Sequence, residues 1–237
     1  MHIEDNFLIV DEIFEPRKIY GHSFVGLCGF DPFSKIGDTL LKMHKLIKED
    51  VPKKYLLRGD FAEKIIKHVY ERDGHKCTTY NKYEIKFDNF KELKYFGGLI
   101  DIELLEEKTL IEVKSKSMKD YEYVKASPPK QEVYQGLYYG FLRKYDTITM
   151  EWVFFDEETE QEVFEGKKPT TLKNLKKHSE IIPINYIEMN NLLTQALKLN
   201  KAFEENKKIS LNLISDEVLN QLGLKRPNYD FGDGLPF

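Results

Sequence analysis

Apolar positions recur along this chain with two periods, and the switches between them divide it into elements. The clearest helical stripe runs from Leu57 to Arg72, with Ala62, Ile65, Ile66, Val69 and Tyr70 at i, i+3 and i+4 spacing. Glu63 lies beside that stripe, so its carboxylate borders buried surface. One further helix is expected from about Pro129 to Lys144, and a long amphipathic one from Pro183 to about Asn206. The second turns Tyr186, Met189, Leu193, Ala196, Leu197 and Phe203 inward. Alternation replaces the stripe at Lys82–Phe87 (Tyr83, Ile85, Phe87) and at Thr147–Phe155 (Ile148, Met150, Trp152, Phe154), which predicts strands. Two further apolar runs form a hairpin, one closing at Asp101 and the other spanning Lys108 to Lys116. A three-strand meander, a crossover helix and one more strand predict an α/β (α+β) fold, a mixed central sheet flanked by helices.

The remaining segments carry weaker signals. Residues 1–20 are short and mixed. Gly21 to Phe30 is small and apolar, a short helix stopped by Gly29. Asp38 is the expected N-cap of a helix reaching about Glu49. Residues 156–182 are acidic, then lysine-rich, without clear period, and read as loop or weak hairpin. Past Asn206 a short helix at Asp216–Leu222 precedes a tail, so the expected division is a domain over 1–206 and an extension over 207–237.

Composition narrows the classes. A hydrophobic fraction of 41% and an aromatic fraction of 13% in 237 residues can build a core, which excludes wholesale disorder. The net charge of -4, from 36 Lys and Arg against 40 Asp and Glu, means that any contact with a polyanion depends on local clustering. No apolar run approaches the roughly 20 residues of a membrane span. The start, Met-His-Ile-Glu-Asp-Asn, does not read as a signal peptide. The two cysteines, Cys28 and Cys77, cannot hold an iron–sulfur cluster or frame a disulfide fold, and the expected compartment is the cytoplasm.

Chemistry concentrates in the hairpin. On a strand through Glu112 and Lys114 both side chains point to the same face, and the turn brings Asp101 beside Glu112. Two carboxylates and an ammonium at the end of a small sheet suit a divalent metal ion and a phosphodiester. Mg²⁺ takes hard oxygen ligands, and Asp101, Glu112 and the Val113 carbonyl could supply them. Lys114 would orient the attacking water. Glutamate and lysine alternating on an exposed strand is the ordinary alternative, but Leu110, Ile111 and Val113 mark a buried strand, where unpaired charge is costly. Glu63, four residues after Gly59 at a helix start, supplies a third acid. Gln135 and Tyr139 stack on one helix face just after the strand, the amide suited to a water or phosphate oxygen and the phenol to a sugar or base. Tyr134 and Tyr138 read as packing.

Gly-x-x-x-Glu63, Asp101, Glu112-x-Lys114 and Gln135-x-x-x-Tyr139, in this order, resemble the PD-(D/E)-x-K nuclease superfamily, in particular its branch of phage lambda-type exonucleases, YqaJ-like viral recombinases and RecB-type domains. The stretch Arg17 to Phe33 is similar to the segment with which lambda/YqaJ exonucleases receive the substrate end. The resemblance implies a restriction-endonuclease-like fold and Mg²⁺, with Mn²⁺ able to substitute, held by Asp101, Glu112, the Val113 carbonyl and Glu63. It implies water activation by Lys114, orientation by Gln135, and capture of a 5′-phosphate by Arg17 and Ser23. It also implies a 5′→3′ exonuclease on linear duplex DNA that leaves 3′ single strands for recombination by annealing, and a homotrimer. The aspartate motif reads Gly-Leu-Ile-Asp and lacks the proline of the superfamily name.

The tail, with Asp230, Phe231, Asp233, Leu235, Pro236 and Phe237, resembles the acidic tip of bacterial single-stranded DNA-binding proteins. Such tips bury the terminal Phe while basic residues receive the carboxylates. It is expected to dock on a phage annealing protein or a host recombination protein. Two other readings compete: a RecB-like or restriction-type endonuclease, and a non-catalytic DNA- or partner-binding module on a nuclease fold.

Overall fold

The computed structural model describes residues 1–13, 17–48, 51–80, 95–169 and 174–227. The chain opens with a hairpin, β1 (His2–Glu4) and β2 (Phe7–Ile9), followed by helices α1 (Gly21–Leu27), α2 (Ile36–Met43) and α3 (Lys53–Arg72). A short strand β3 (Cys77–Thr78) and the pair β4 (Ile102–Leu104) and β5 (Thr109–Ser117) come next. Helices α4 (Tyr121–Ala126) and α5 (Lys130–Arg143) lead to β6 (Thr147–Phe155) and α6 (Glu157–Phe164). The chain then forms β7 (Lys176–Pro183), α7 (Tyr186–Asn206), β8 (Lys208–Ser210) and α8 (Asp216–Gln221).

The central sheet is mixed, in the order β3-β4-β5-β6-β7. The β4–β5 and β6–β7 pairs are antiparallel, and β5–β6 is parallel across the α5 crossover. The pleat of β5 divides its side chains between two cores. Ile111 and Val113 pack with Ala62 and Ile66 of α3, while Leu110 joins Tyr138 of α5 and Trp152 of β6 on the other side. Glu112 shares the Leu110 face. Helix α5 can lie close on that face because Gly136 has no side chain: a Cβ there would stand 2.7 Å from Ile148 and 3.3 Å from the Glu112 Cβ. Among the described residues no helix is long and apolar enough to cross a membrane.

Several expectations need correction. Asp101 does not close the first strand of the hairpin: it stands just before β4, in an extended segment that begins at Gly97 and Gly98. The register still pairs Ile102 with Ile111, so Asp101 arrives opposite Glu112. Asp38 is not an N-cap but the third residue of α2, where its carboxylate accepts from the backbone N–H of Lys35 (3.1 Å) and of Ser215 (2.9 Å). Residues 156–182 hold α6, capped by Asp156, and the eight-residue edge strand β7. The residues just past 206 are built into the domain: β8 pairs with β2, and Val218 and Leu219 of α8 join the main core. The strand expected at Lys82–Phe87 and the tail residues 228–237 lie outside the described residues.

Candidate active site

Three elements bring the acidic groups together. Asp101, opposite Glu112, accepts the Val113 backbone N–H at 2.8 Å. Glu112 is buried, 1% exposed, and its Oε1 receives the Lys114 ammonium at 2.7 Å. The same ammonium donates to Gln135 Oε1 at 3.2 Å, which fixes the amide on α5 over the strand. Glu63 stands half-buried on α3, close enough to feel the charge of Asp101, Glu112 and Lys114. A cleft of about 370 Å³ opens beside the carboxylates, lined in part by Asp60, Glu63, Lys64, Lys67 and Asp101.

The electrostatics are those of a site with too much negative charge for its solvent access. Burial, then repulsion from Asp101 and Asp60, pushes Glu63 up to about 7. Burial followed by the Asp101 charge raises Glu112, with Lys114 offsetting part of the rise. Asp101 is raised by burial against the attraction of Lys114. Burial works to lower the Lys114 pKa, but Glu112 and Asp101 outweigh it, so the lysine stays protonated. Glu112 Oε2 is buried with no hydrogen-bond partner. An orphaned carboxylate oxygen among mutually repelling carboxylates is what a divalent cation would satisfy, and the hard oxygen donors suit Mg²⁺ or Mn²⁺. As placed, no three such side chains among the described residues are gathered closely enough to hold a metal ion.

Three solved structures resemble this arrangement of elements. A phage-related exonuclease from Haemophilus somnus 129PT matches with a TM-score of 0.53 and 15% identity, over 88% of this chain and 97% of that one. The alkaline exonuclease LHK-Exo from Laribacter hongkongensis matches with a TM-score of 0.52 and 13% identity, over 87% and 93%. LHK-Exo in complex with dAMP gives 0.56 and 12%, over the same shares. The fold is that of the phage-related and alkaline exonucleases. The resemblance read in the sequence is met at the level of the fold, since identities this low speak to fold alone. No family model matches the chain, and neither does any curated protein.

The other expected residues are not all exposed to a ligand. Tyr139 is buried, 4% exposed, and its ring fills the space left by two glycines: a Cβ on Gly21 would stand 2.6 Å from its hydroxyl, and one on Gly98 would strike the ring. It therefore ties α1 and the Gly97–Asp101 segment to α5 rather than facing a ligand. Ser23, on α1, is also buried, at 2%. Arg17 precedes the bridge of Ile19 with Phe96, and its backbone is held by α7. The tail residues Asp230, Phe231, Asp233, Leu235, Pro236 and Phe237 lie outside the described residues.

Sequence reasoning missed one support. Tyr138, read as packing, places its hydroxyl 2.6 Å from the Ile19 carbonyl and 2.8 Å from that of Gly97. It pins the N-terminal segment to the stretch that leads to Asp101. The signal was a tyrosine, not a phenylalanine, at a core position of α5.

Proposed function

We propose that the chain is a metal-dependent DNA exonuclease that digests linear duplex DNA from a 5′ end and leaves a 3′ single strand for annealing. The observation that carries this reading is the Lys114 ammonium held between buried Glu112 and Gln135, beside Asp101, on an exonuclease fold. Asp101, Glu112 and the Val113 carbonyl, with Glu63 nearby, would hold Mg²⁺, which would supply Lewis-acid activation of the scissile phosphate and of water. Lys114, with one proton always in place, orients the attacking water and offsets the charge that develops on the phosphoryl oxygens. Gln135 fixes that ammonium by accepting one of the two hydrogen bonds it donates. Water adds to phosphorus, the bond to the 3′ oxygen breaks, and that oxygen leaves with a proton. Arg17 belongs to the 5′-phosphate end of this reading, and the buried Ser23 and Tyr139 to its internal support.

The wider setting is proposed with it: a homotrimer around DNA, a cytoplasmic location, and docking of the Asp230–Phe237 tail on a recombination protein. The decisive assay compares wild type and Lys114→Ala on linear and on closed circular duplex in Mg²⁺. Digestion of the linear substrate alone, lost in a Lys114→Ala protein that still folds, is the expected result. Wild-type rates in Lys114→Ala overturn the site assignment, and cleavage of the closed circle favours the endonuclease.

A further inference from the structure

A second group of buried polar side chains lies away from the carboxylates, where α2 meets α7, and its target is the main chain of Arg17. Asn200 is fully buried at 0% exposure, and His44, just past the end of α2, is buried beside it. His44 Nε2 and Asn200 Oδ1 are 2.9 Å apart. Asn200 Nδ2 reaches the Arg17 carbonyl at 3.4 Å and Glu204 Oε1 at 3.1 Å, and Glu204 Oε1 accepts the Arg17 N–H at 3.1 Å. The donors and acceptors fit in one direction only. An amide that gives its N–H groups to Arg17 and Glu204 must take a proton from His44 on its oxygen, so His44 carries its hydrogen on Nε2. Burial lowers the His44 pKa, with the Asn200 hydrogen bond and Glu204 acting against it and Arg17 with it.

Buried polar networks are costly, and this one leaves His44 Nδ1 without a hydrogen-bond partner among the described residues, so an Asn, a Glu and a His directed at one backbone unit call for a reason. Helix α7 presents Asn200 and Glu204 four residues apart, one turn of helix, so the two grip Arg17 from its carbonyl side and its N–H side. Two residues further on, Ile19 is bound in turn by the Gly97 N–H and the Tyr138 hydroxyl. The segment is thus fixed at one end against α7 and at the other against the elements that carry Asp101 and Gln135.

We infer that Asn200 and Glu204, with His44 behind them, are positioning residues that set the Arg17 backbone, and so its guanidinium, for the 5′-phosphate of the substrate end. The inference rests on the reading of Arg17 given above. A planar guanidinium needs a fixed backbone to meet a phosphate with two hydrogen bonds at once, because each depends on angle as well as distance.

The test measures binding, so that it does not depend on cleavage. Full-length protein is titrated with labelled linear duplexes bearing a 5′-phosphate or a 5′-hydroxyl, in Ca²⁺, by fluorescence anisotropy. Wild type is expected to prefer the phosphorylated end, and Arg17→Ala to lose that preference. Asn200→Ala and Glu204→Ala are expected to weaken binding of the phosphorylated end about tenfold, the scale of one charge-assisted hydrogen bond, and to leave the hydroxyl end unchanged. Glu204→Gln, which keeps an acceptor for the Arg17 N–H, retains the preference. If Arg17→Ala removes the preference while the Asn200 and Glu204 variants keep it, or weaken both ends equally, the inference is overturned and the reading of Arg17 stands. If Arg17→Ala leaves the preference intact, or wild type has none, both fall. Should Asn200→Ala fail to fold, Glu204→Ala, at the less buried end of the cluster, decides alone.

Discussion

Two glutamates lie under α5 on neighbouring strands, Glu103 on β4 and Glu112 on β5, both almost without solvent contact. Around Glu103 every demand is met. Arg143 binds it in a fork, Nε to Oε1 and Nη2 to Oε2, each at 2.6 Å, and the hydroxyls of Tyr145 and Tyr80 complete the set. Burial alone would raise its pKa, but the hydrogen bonds from Arg143, Tyr145 and Tyr80 outweigh it, and Glu103 is lowered. Glu112 has one cation on one oxygen, nothing on the other, and acidic neighbours. Its pKa is raised. Glu151, on the opposite face, stands between: Tyr70, Lys177 and Ser179 converge on Oε1 while Oε2 has no partner. A buried carboxylate supplied with donors holds elements together; one left short of them, among like charges, is kept for something that arrives later.

The comparison can be broken by exchanging the fates of the two sites. Glu112→Gln removes the carboxylate but keeps its shape. It is expected to lower the rate on linear duplex by at least about a thousandfold in Mg²⁺, with the melting temperature unchanged or raised. A variant that retains activity would put Glu112 on the same footing as Glu103. Arg143→Leu leaves Glu103 without its cation and is expected to cost about 3–5 kcal/mol in urea unfolding, because an uncompensated buried charge remains. A cost below about 1 kcal/mol would mean that the fork does not hold β4 to α5.

The smallest effect is in pH. Glu103 is depressed when folded, so the unfolded chain binds more protons below its ordinary range. The stability from Glu103 is present above about 4.5 and is lost as pH falls through its folded value. Glu112 is raised, so the folded chain binds more protons, and stability declines as pH rises from about 4.5 toward its folded value. In metal-free buffer each contributes a slope of at most about 1.4 kcal/mol per pH unit, of opposite sign. Denaturation across pH should find the decline above about pH 4.5 flattened in Glu112→Gln and the acid loss unchanged. The same decline in wild type and variant would sink the assignment.

How far the sequence alone reached differs between segments. Thr147–Phe155 was legible to the residue, because an alternating apolar run buried on both faces has no other reading. The α7 stripe was legible from its i, i+3, i+4 period, although α7 starts at Tyr186, after Pro183 closes β7. Strand β7 was hidden: Lys176–Pro183 is an edge whose outer residues face water, so its composition resembles a loop, and only the pairing with β6 makes it a strand. Asp101 was assigned to a strand end because Leu99 and Ile100 are apolar, yet the close approach of Gly97 to Tyr20 and Gly98 to Tyr139 keeps that segment outside the sheet.

For the site, period and spacing determined that Glu112 and Lys114 share a face, that Asp101 comes opposite Glu112, and that Gln135 and Tyr139 share a helix face, since each is a local consequence of backbone geometry. Tertiary structure decided the rest. It placed Gln135 against Lys114 but sealed Tyr139 and Ser23 inside, gave Glu103 an arginine and two tyrosines while leaving Glu112 an empty oxygen, and bound the Arg17 backbone to a helix 183 residues further along. Those outcomes depend on which neighbours burial brings together, and partners distant in sequence leave no period to read.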